Sequence, residues 1–191
     1  MERFDEALIE RKRGVELDPL APSINMRFGY TLYLMRRYPE AIEQYRKTLE
    51  LDPNGPLIHE RLGNAYEQKG MLEQAIGEWS AAFALAKNDE LATMLERTFK
   101  EFGFNAAVRA VARERLAQLN EKARRGEYVP AMHFARLYVR LGEREQAFVW
   151  LEKTAEERNA LAFEIKLDPA FDSLRDDPRF TDIIRRTGLA P

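Results

Sequence analysis

The stretch PSINMRFGYTLYLMRRYPEAIEQYRKTLELDPNG, residues 22–55, is followed directly by PLIHERLGNAYEQKGMLEQAIGEWSAAFALAKND, residues 56–89. The two segments follow one pattern, each position of the second lying 34 residues after its match in the first. The matched positions are Phe28-Gly29 with Leu62-Gly63, Leu32 with Tyr66, Ala41 with Ala75, Tyr45 with Trp79, and Thr48 with Ala82. Matching small, aromatic and proline positions over two consecutive segments indicate an internal repeat.

Each segment is predicted to form two helices. In the first segment the inward positions follow helical spacing: Asn25, Phe28, Leu32 and Met35 on one helix, and Ala41, Tyr45, Thr48 and Leu49 on the next. Gly29 and Ala41 are expected where the two antiparallel helices approach most closely, and Tyr45 is expected to fill the wider part of the wedge. Pro53 ends the second helix, and Asp52 before it is pushed away from helical geometry.

The repeat resembles the tetratricopeptide repeat (TPR), whose signature combines L-G-x2-Y, A-x3-aromatic and a late proline over 34 residues. The resemblance implies an all-α fold, a right-handed TPR-type solenoid of antiparallel helix pairs. One such pair cannot bury its apolar face alone, so pairs stack on their neighbours. The resemblance also implies a scaffold for protein–protein interaction rather than an enzyme.

We expect one solenoid over residues 1–191, in six parts. They are a half repeat at 3–19, repeats at 22–55 and 56–88, a degenerate third repeat at 89–125, a fourth repeat at 128–159, and a C-terminal helical cap at 160–191. The helix of the half repeat lacks its partner, so we expect the chain to be a fragment of a longer protein. In the third repeat Glu96 replaces the small residue. Asp177 before Pro178 is predicted to cap the last helix.

The segment from Val129 to Leu189 carries a second resemblance. The residues concerned are Tyr138, Leu141-Gly142, Gln146-Ala147-Phe148, Trp150-Leu151-Glu152, Asp168-Pro169, Phe171-Asp172, Leu174-Arg175 and Asp177-Pro178-Arg179-Phe180. This ending is similar to that of bacterial multidomain regulators, in which TPR repeats follow a winged-helix DNA-binding, serine/threonine-kinase or nucleotidyl-cyclase domain. The resemblance supplies no catalytic residue.

Composition favours a soluble protein, and we expect a cytoplasmic one. Hydrophobic residues make up 45% of the chain and charged residues 32%, with a formal net charge of −2. Cysteine is absent, which excludes disulfides, thiol nucleophiles and cysteine-ligated metals. No apolar run approaches the ~18 residues of a membrane span, and the N-terminus lacks the apolar core of a signal peptide. The nearly balanced charge gives no reason to expect nucleic acid or a membrane as partner.

No motif in the sequence predicts catalysis, a cofactor or a metal. His59 and His133 are far apart, without the close ligand spacing that zinc sites show. Phosphate-binding loops and nucleophile motifs are absent, and Asp176-Asp177 is better explained as a helix cap than as a catalytic pair. The basic residues of the long helix between about 105 and 124 are spread around it, as on a solvated face.

In TPR proteins the first helix of each repeat lines a concave groove, where peptides or partner helices bind. The register gives nine groove candidates: Met26, Tyr30, Tyr33, Glu60, Asn64, Glu67, Arg97, Arg136 and Arg140. Tyr and Met suit adaptable contacts with a peptide. The alternative is that Tyr30 and Tyr33 pack against upstream helices of a longer protein. Asn64 fits one position of the carboxylate clamp of some TPR proteins, but Glu60 stands where that clamp needs lysine.

We therefore expect a non-catalytic scaffold that binds a peptide or partner helix in the groove. Two alternatives remain open. The chain could be the regulatory region of an upstream DNA-binding, kinase or cyclase domain on which it packs, or it could form a homodimer through the N-terminal half repeat.

Overall fold

The computed structural model describes residues 2–157 and 164–187, and these residues form helices without a strand. The α-helices are α1 (Glu2–Leu17), α2 (Pro22–Leu34), α3 (Tyr38–Leu51), α4 (Pro56–Gln68), α5 (Leu72–Leu85), α6 (Asp89–Phe102), α7 (Phe104–Arg124), α8 (Ala131–Leu141), α9 (Arg144–Glu156), α10 (Glu164–Leu167) and α11 (Pro178–Arg186). A 3-10 helix spans Pro169–Leu174. The chain folds as two compact units, residues 1–104 and 105–191.

In the first unit each helix packs against the next one along the chain, from α1 to α6. The inward positions predicted from the repeat form the core: Leu32, Ala41, Tyr45, Leu62 and Ala75 are all buried. Proline stands at the start of α2 and α4, where its missing N–H costs no hydrogen bond. Asp52, with φ −138° and ψ 82°, leaves helical geometry at the end of α3, as Pro53 requires.

The glycine of each repeat makes room for the aromatic residue of its partner helix. A Cβ added at Gly29 would lie 2.7 Å from Cε1 of Tyr45. A Cβ at Gly63 would lie 2.6 Å from the indole of Trp79 and 3.2 Å from the Ala75 carbonyl oxygen. The sequence predicted close helix approach here, and the structure shows that the aromatic ring is what lies against the glycine.

In the second unit α8 and α9 form a helix pair, which α11 and the 3-10 helix cover. The core consists of buried side chains from all these elements: Met132, Ala135, Ala147, Phe148, Leu151, Ala155, Ile165, Phe171, Leu174, Phe180, Ile183 and Ile184. Helix α7 buries Ala107, Val111 and Ala112. Ala135 and Leu151 take the places that glycine and the aromatic residue hold in the first unit, and here the aromatic contact between the two helices is the stack of Phe134 on Trp150.

The structure adds three observations on the predicted organisation. The division between the units falls after Phe104, inside the predicted third repeat, and separates its two helices. Glu96, which replaces the small residue there, accepts a hydrogen bond from the Ser80 hydroxyl. Helix α10 was not predicted, and the remaining residues of the predicted cap, 160–163 and 188–191, lie outside the described part of the chain.

Candidate functional site

The first helices of the pairs in the first unit, α2, α4 and α6, carry most of the predicted groove residues. We call the surface formed by Met26, Tyr30, Glu60, Asn64, Glu67 and Arg97 the groove face. The first five side chains are partly buried and Arg97 is exposed. Arg61 joins α4 to α2 on this face, since its guanidinium carbon lies 3.9 Å from the centroid of the Tyr30 ring. The contact is a cation–π interaction between two repeats.

Asn64 connects the groove face to the core beneath it. Its Oδ1 accepts a hydrogen bond of 3.0 Å from the indole N–H of Trp79 on α5. The Trp79 side chain is buried, and a buried indole N–H needs an acceptor. Asn64 therefore supports the fold at the same position where the sequence suggested a contact with a ligand.

Helix α6 bears a shallow cavity of about 380 Å³. The lining residues are Asp89, Glu90, Thr93, Met94 and Arg97. Because α6 begins 33 residues after α4, Thr93 and Arg97 correspond to Glu60 and Asn64 of the groove face. Of these five residues the sequence predicts only Arg97 as a groove residue, since the repeat pattern is weak in this part of the chain. The cavity combines two carboxylates, a thioether and a guanidinium.

Tyr33 lies in the core, although the sequence placed it among the groove candidates. Its side chain is only 5% exposed. It stacks on Tyr30, with ring centroids 6.2 Å apart, and contacts Tyr38 at 5.8 Å. Tyr38 begins α3, so the turn after α2 brings the two rings together. This burial leaves Tyr33 little surface for a partner.

Arg136 and Arg140 lie on α8 in the second unit, and each is partly exposed. Arg136 donates a hydrogen bond of 2.7 Å to Asp168 and one of 2.9 Å to Glu164. Both carboxylates are buried, and charge-assisted pairs of this kind are the strong ones. Arg136 thus holds the α10 segment on the helix pair. Nothing in the sequence near Arg136 signals this pairing, because its partners are 28 and 32 residues away.

His59 occupies a structural junction between repeats. One of its ring nitrogens lies 2.7 Å from a Glu78 carboxylate oxygen and the other 3.2 Å from the Pro53 carbonyl oxygen. In the preceding repeat Asn25 holds the same place: it donates to the Pro19 carbonyl at 2.9 Å and accepts from Gln44 at 2.7 Å. Each junction ties the inter-repeat loop to both helices of the following pair. His133, by contrast, is exposed.

Arginine side chains fasten the closing helix α11 to α9. Arg179 donates two hydrogen bonds to Glu145, at 2.7 and 3.0 Å, and pairs with Asp177. Asp177 also pairs with Arg144 and accepts from the Arg179 backbone N–H, which confirms the predicted helix cap. Hydrogen bonds from Arg179, followed by those from Arg144, hold the pKa of Asp177 well below its usual range.

Within residues 2–157 and 164–187, no group of three or more His, Asp or Glu side chains is arranged to hold a metal ion. No helix in this described part is long and apolar enough to cross a membrane.

Comparison with known protein families matches residues 29–70 to the TPR repeat. No curated protein matches the chain. The matched segment contains Gly29, Ala41, Tyr45 and Gly63, whose packing is described above. Together with the pairwise packing of the helices, this match confirms the predicted fold class, an all-α TPR-type solenoid. TPR repeats are non-catalytic and generally mediate protein–protein interaction.

Proposed function

We propose that the first unit binds an extended peptide or a partner helix along its groove face. The face presents partly exposed side chains from three successive first helices, which suits a ligand that runs across several repeats. Met26 and Tyr30 offer adaptable and aromatic contacts, while Glu60, Glu67 and Arg97 offer charges of both signs. With Tyr33 buried and Asn64 bonded to Trp79, the proposed contacts shift toward Tyr30 and α6.

The observation that carries this proposal is the cavity on α6. It is lined by Glu90, Thr93, Met94 and Arg97, residues that share one helix face, together with the adjacent Asp89. A concave site with apolar and polar lining residues can hold one side chain of a bound peptide. Its register with Glu60 and Asn64 continues the groove face from α4 to α6 within the same compact unit.

A selection from a peptide library displayed on phage tests the proposal. The double variant Glu90→Ala/Arg97→Ala removes two cavity walls, and we expect it to weaken the selected peptide about tenfold or more. The matched control is Glu43→Ala/Lys47→Ala, which removes an exposed ion pair of α3. Circular dichroism checks that both variants remain folded. Failure to enrich any peptide, or equal affinity of the two variants, would contradict the proposal.

A second candidate function is self-association through α1 and the loop that follows it. Ile9, Leu17 and Leu20 are 63%, 77% and 73% exposed, and exposed apolar side chains in one region favour an interface. Light scattering at several concentrations, on the wild type and on Ile9→Lys/Leu17→Lys, tests it. A dimer that the variant loses would support this function, whereas a monomeric wild type would rule it out.

The setting proposed for either function is a cytoplasmic regulator. Its support is the similarity of residues 129–189 to the ends of bacterial multidomain regulators, in which an effector domain precedes the repeats. Measuring binding of this chain to a separately purified effector domain from the same reading frame would test that setting.

A further inference from the structure

The cavity on α6 has opposite charges at its two ends. Its lining residues, Asp89, Glu90, Thr93, Met94 and Arg97, all come from this one helix. At about 1.5 Å of rise per residue, Arg97 lies roughly 10 Å along the helix axis from Glu90. Thr93 and Met94 lie between the carboxylates and the guanidinium. The cavity is therefore acidic at the start of α6, uncharged in the middle and basic at the far end.

The helix itself supplies no cation to the two carboxylates. The cap of α6 is made by Asn88, whose side chain accepts a hydrogen bond of 3.3 Å from the Leu91 backbone N–H. Charged side chains pair along a helix at a spacing of three or four residues. For Asp89 and Glu90 those positions, 92–94, hold uncharged residues. Both carboxylates are exposed, so a ligand can reach them from solvent without competing with a neighbouring cation on α6.

We propose that this cavity recognises a peptide segment with a basic and an acidic residue three positions apart, an inference that rests on the proposed peptide-binding function. The lysine or arginine of the segment pairs with Asp89 and Glu90, and its aspartate or glutamate pairs with Arg97. The methylene groups of the basic side chain contact Met94, whose flexible thioether adapts to them. Charge complementarity at both ends thus defines the ligand.

The separation of the charges in the cavity sets the spacing in the peptide. An extended segment of the polyproline type advances about 3.1 Å per residue and has roughly three residues per turn. Residues three positions apart therefore lie on one side of the segment, about 9 Å from each other, close to the separation of Glu90 and Arg97. A second basic residue in place of the acidic one would meet the like charge of Arg97. The peptide can run in either direction, so the inference concerns spacing and sign rather than order.

The test begins with a selection by the full chain from random dodecapeptides displayed on phage. We expect the enriched peptides to share a basic and an acidic residue three positions apart. Fluorescence anisotropy then measures synthetic copies of one such peptide, in which the basic residue is replaced by Met or Glu, or the acidic residue by Asn or Lys. Each neutral replacement should lower affinity for the wild type about fivefold, as for a well-placed exposed ion pair.

Two variants assign each charge of the peptide to one end of the cavity. Glu90→Lys should cancel the preference for the basic residue, because the introduced ammonium offsets the charge of Asp89, and it should leave the preference for the acidic residue unchanged. Arg97→Glu should reverse the preference at the acidic position and leave the other preference unchanged. A variant that merely unfolds would weaken all the peptides alike, so these selective changes separate recognition from stability.

Glu73→Lys is the matched control. Glu73 is an exposed residue in the first turn of α5, as Glu90 is in the first turn of α6. Both changes place a positive charge near the positive end of a helix dipole, so they disturb their helices alike. The control should keep both charge preferences of the wild type.

Other outcomes overturn the inference or the function on which it rests. Enriched peptides without the charge pair, or charge preferences that Glu90→Lys and Arg97→Glu leave unchanged, would overturn the inference and leave peptide binding intact. Equal changes in Glu73→Lys would also overturn it, since they would reflect the overall charge of the chain. Absence of any enriched peptide would overturn the proposed function and, with it, this inference.

Discussion

The first two complete repeats, α2–α3 and α4–α5, solve the same packing problem with different polar partners. Both place a glycine of the first helix under an aromatic ring of the second. Both tie the preceding loop to the pair through a buried or half-buried polar side chain, Asn25 in one and His59 in the other. Yet the Trp79 N–H is paired and the Tyr45 hydroxyl is not. The apolar framework is thus common to both repeats, and the polar contacts are particular to each.

Adding a methyl group at the glycines should have the largest effect. Gly63→Ala brings a Cβ against both the Trp79 ring and the Ala75 carbonyl oxygen, and we expect a loss of about 2–3 kcal/mol in the free energy of unfolding. Gly29→Ala meets only the Tyr45 ring and should cost less. Gly77→Ala is the control: nothing lies within 4 Å of its added Cβ, so better helix propensity should stabilise by about 0.5–1 kcal/mol. Urea denaturation measures all three, and a harmless Gly63→Ala would refute the ring-on-glycine account.

The second-largest effect on stability should come from the polar partner of the aromatic ring. Asn64→Ala removes the side-chain oxygen that accepts the hydrogen bond of the buried Trp79 N–H, and we expect a cost of about 1–2 kcal/mol. Denaturant unfolding followed by circular dichroism gives the value. Because Asn64 lies on the groove face, Gln68→Ala on the same helix serves as a surface control. Equal stability of the Asn64 variant and the wild type would mean that the repeats do not differ in this respect.

Replacing the polar pair of the second junction by that of the first tests whether the two junctions are equivalent. His59→Asn and Glu78→Gln together rebuild in the second repeat the amide pair that Asn25 and Gln44 form in the first. Each single change should cost about 1 kcal/mol because it leaves one polar partner mismatched, and the double change should recover most of that loss. A double-mutant cycle from urea denaturation provides the coupling energy. Additive losses would show that the two junctions are not interchangeable.

The smallest effect concerns the pH dependence of the closing helix. The pKa of Asp177 is lowered in the folded chain, so its ion pairs stabilise fully above the unfolded value of about 3.9 and are lost as the pH falls below it. Asp177→Asn removes the charge and keeps a capping side chain. The difference in melting temperature between wild type and variant should therefore shrink between pH 6 and pH 3. A difference in melting temperature that grows as the pH falls would contradict the expected direction.

The sequence was sufficient for most helices because repeat spacing and proline punctuation are local signals. Helices α2 to α5 lie within the predicted repeats at 22–55 and 56–88, and α6 begins where the predicted third repeat begins, at residue 89. The cap at Asp177 followed from the Asp-Pro dipeptide alone. Such features depend on a few neighbouring residues, which one sequence displays directly.

The candidate site was harder, because it depends on contacts between distant residues. Tyr33 and Tyr30 carry the same side chain three positions apart, yet only the turn to Tyr38 determines that Tyr33 is buried. Arg136 occupies a groove position in the repeat register, but its guanidinium pairs with Glu164 and Asp168, which come much later in the chain. The α6 cavity lies in the repeat with the weakest signature. Whether these surfaces bind a ligand stays a prediction.

The placement of the tryptophans gives the molecule two internal fluorophores. The sequence contains two tryptophans, and Trp79 and Trp150 fall in different compact units. Trp79 lies beside Phe104, and Trp150 stacks on Phe134 at 4.0 Å under the Lys153 ammonium, so their emission spectra report on different surroundings. Replacing either tryptophan by phenylalanine leaves a single tryptophan in the chain. Its emission then reports on unfolding of the compact unit that contains it, without a tryptophan signal from the other unit.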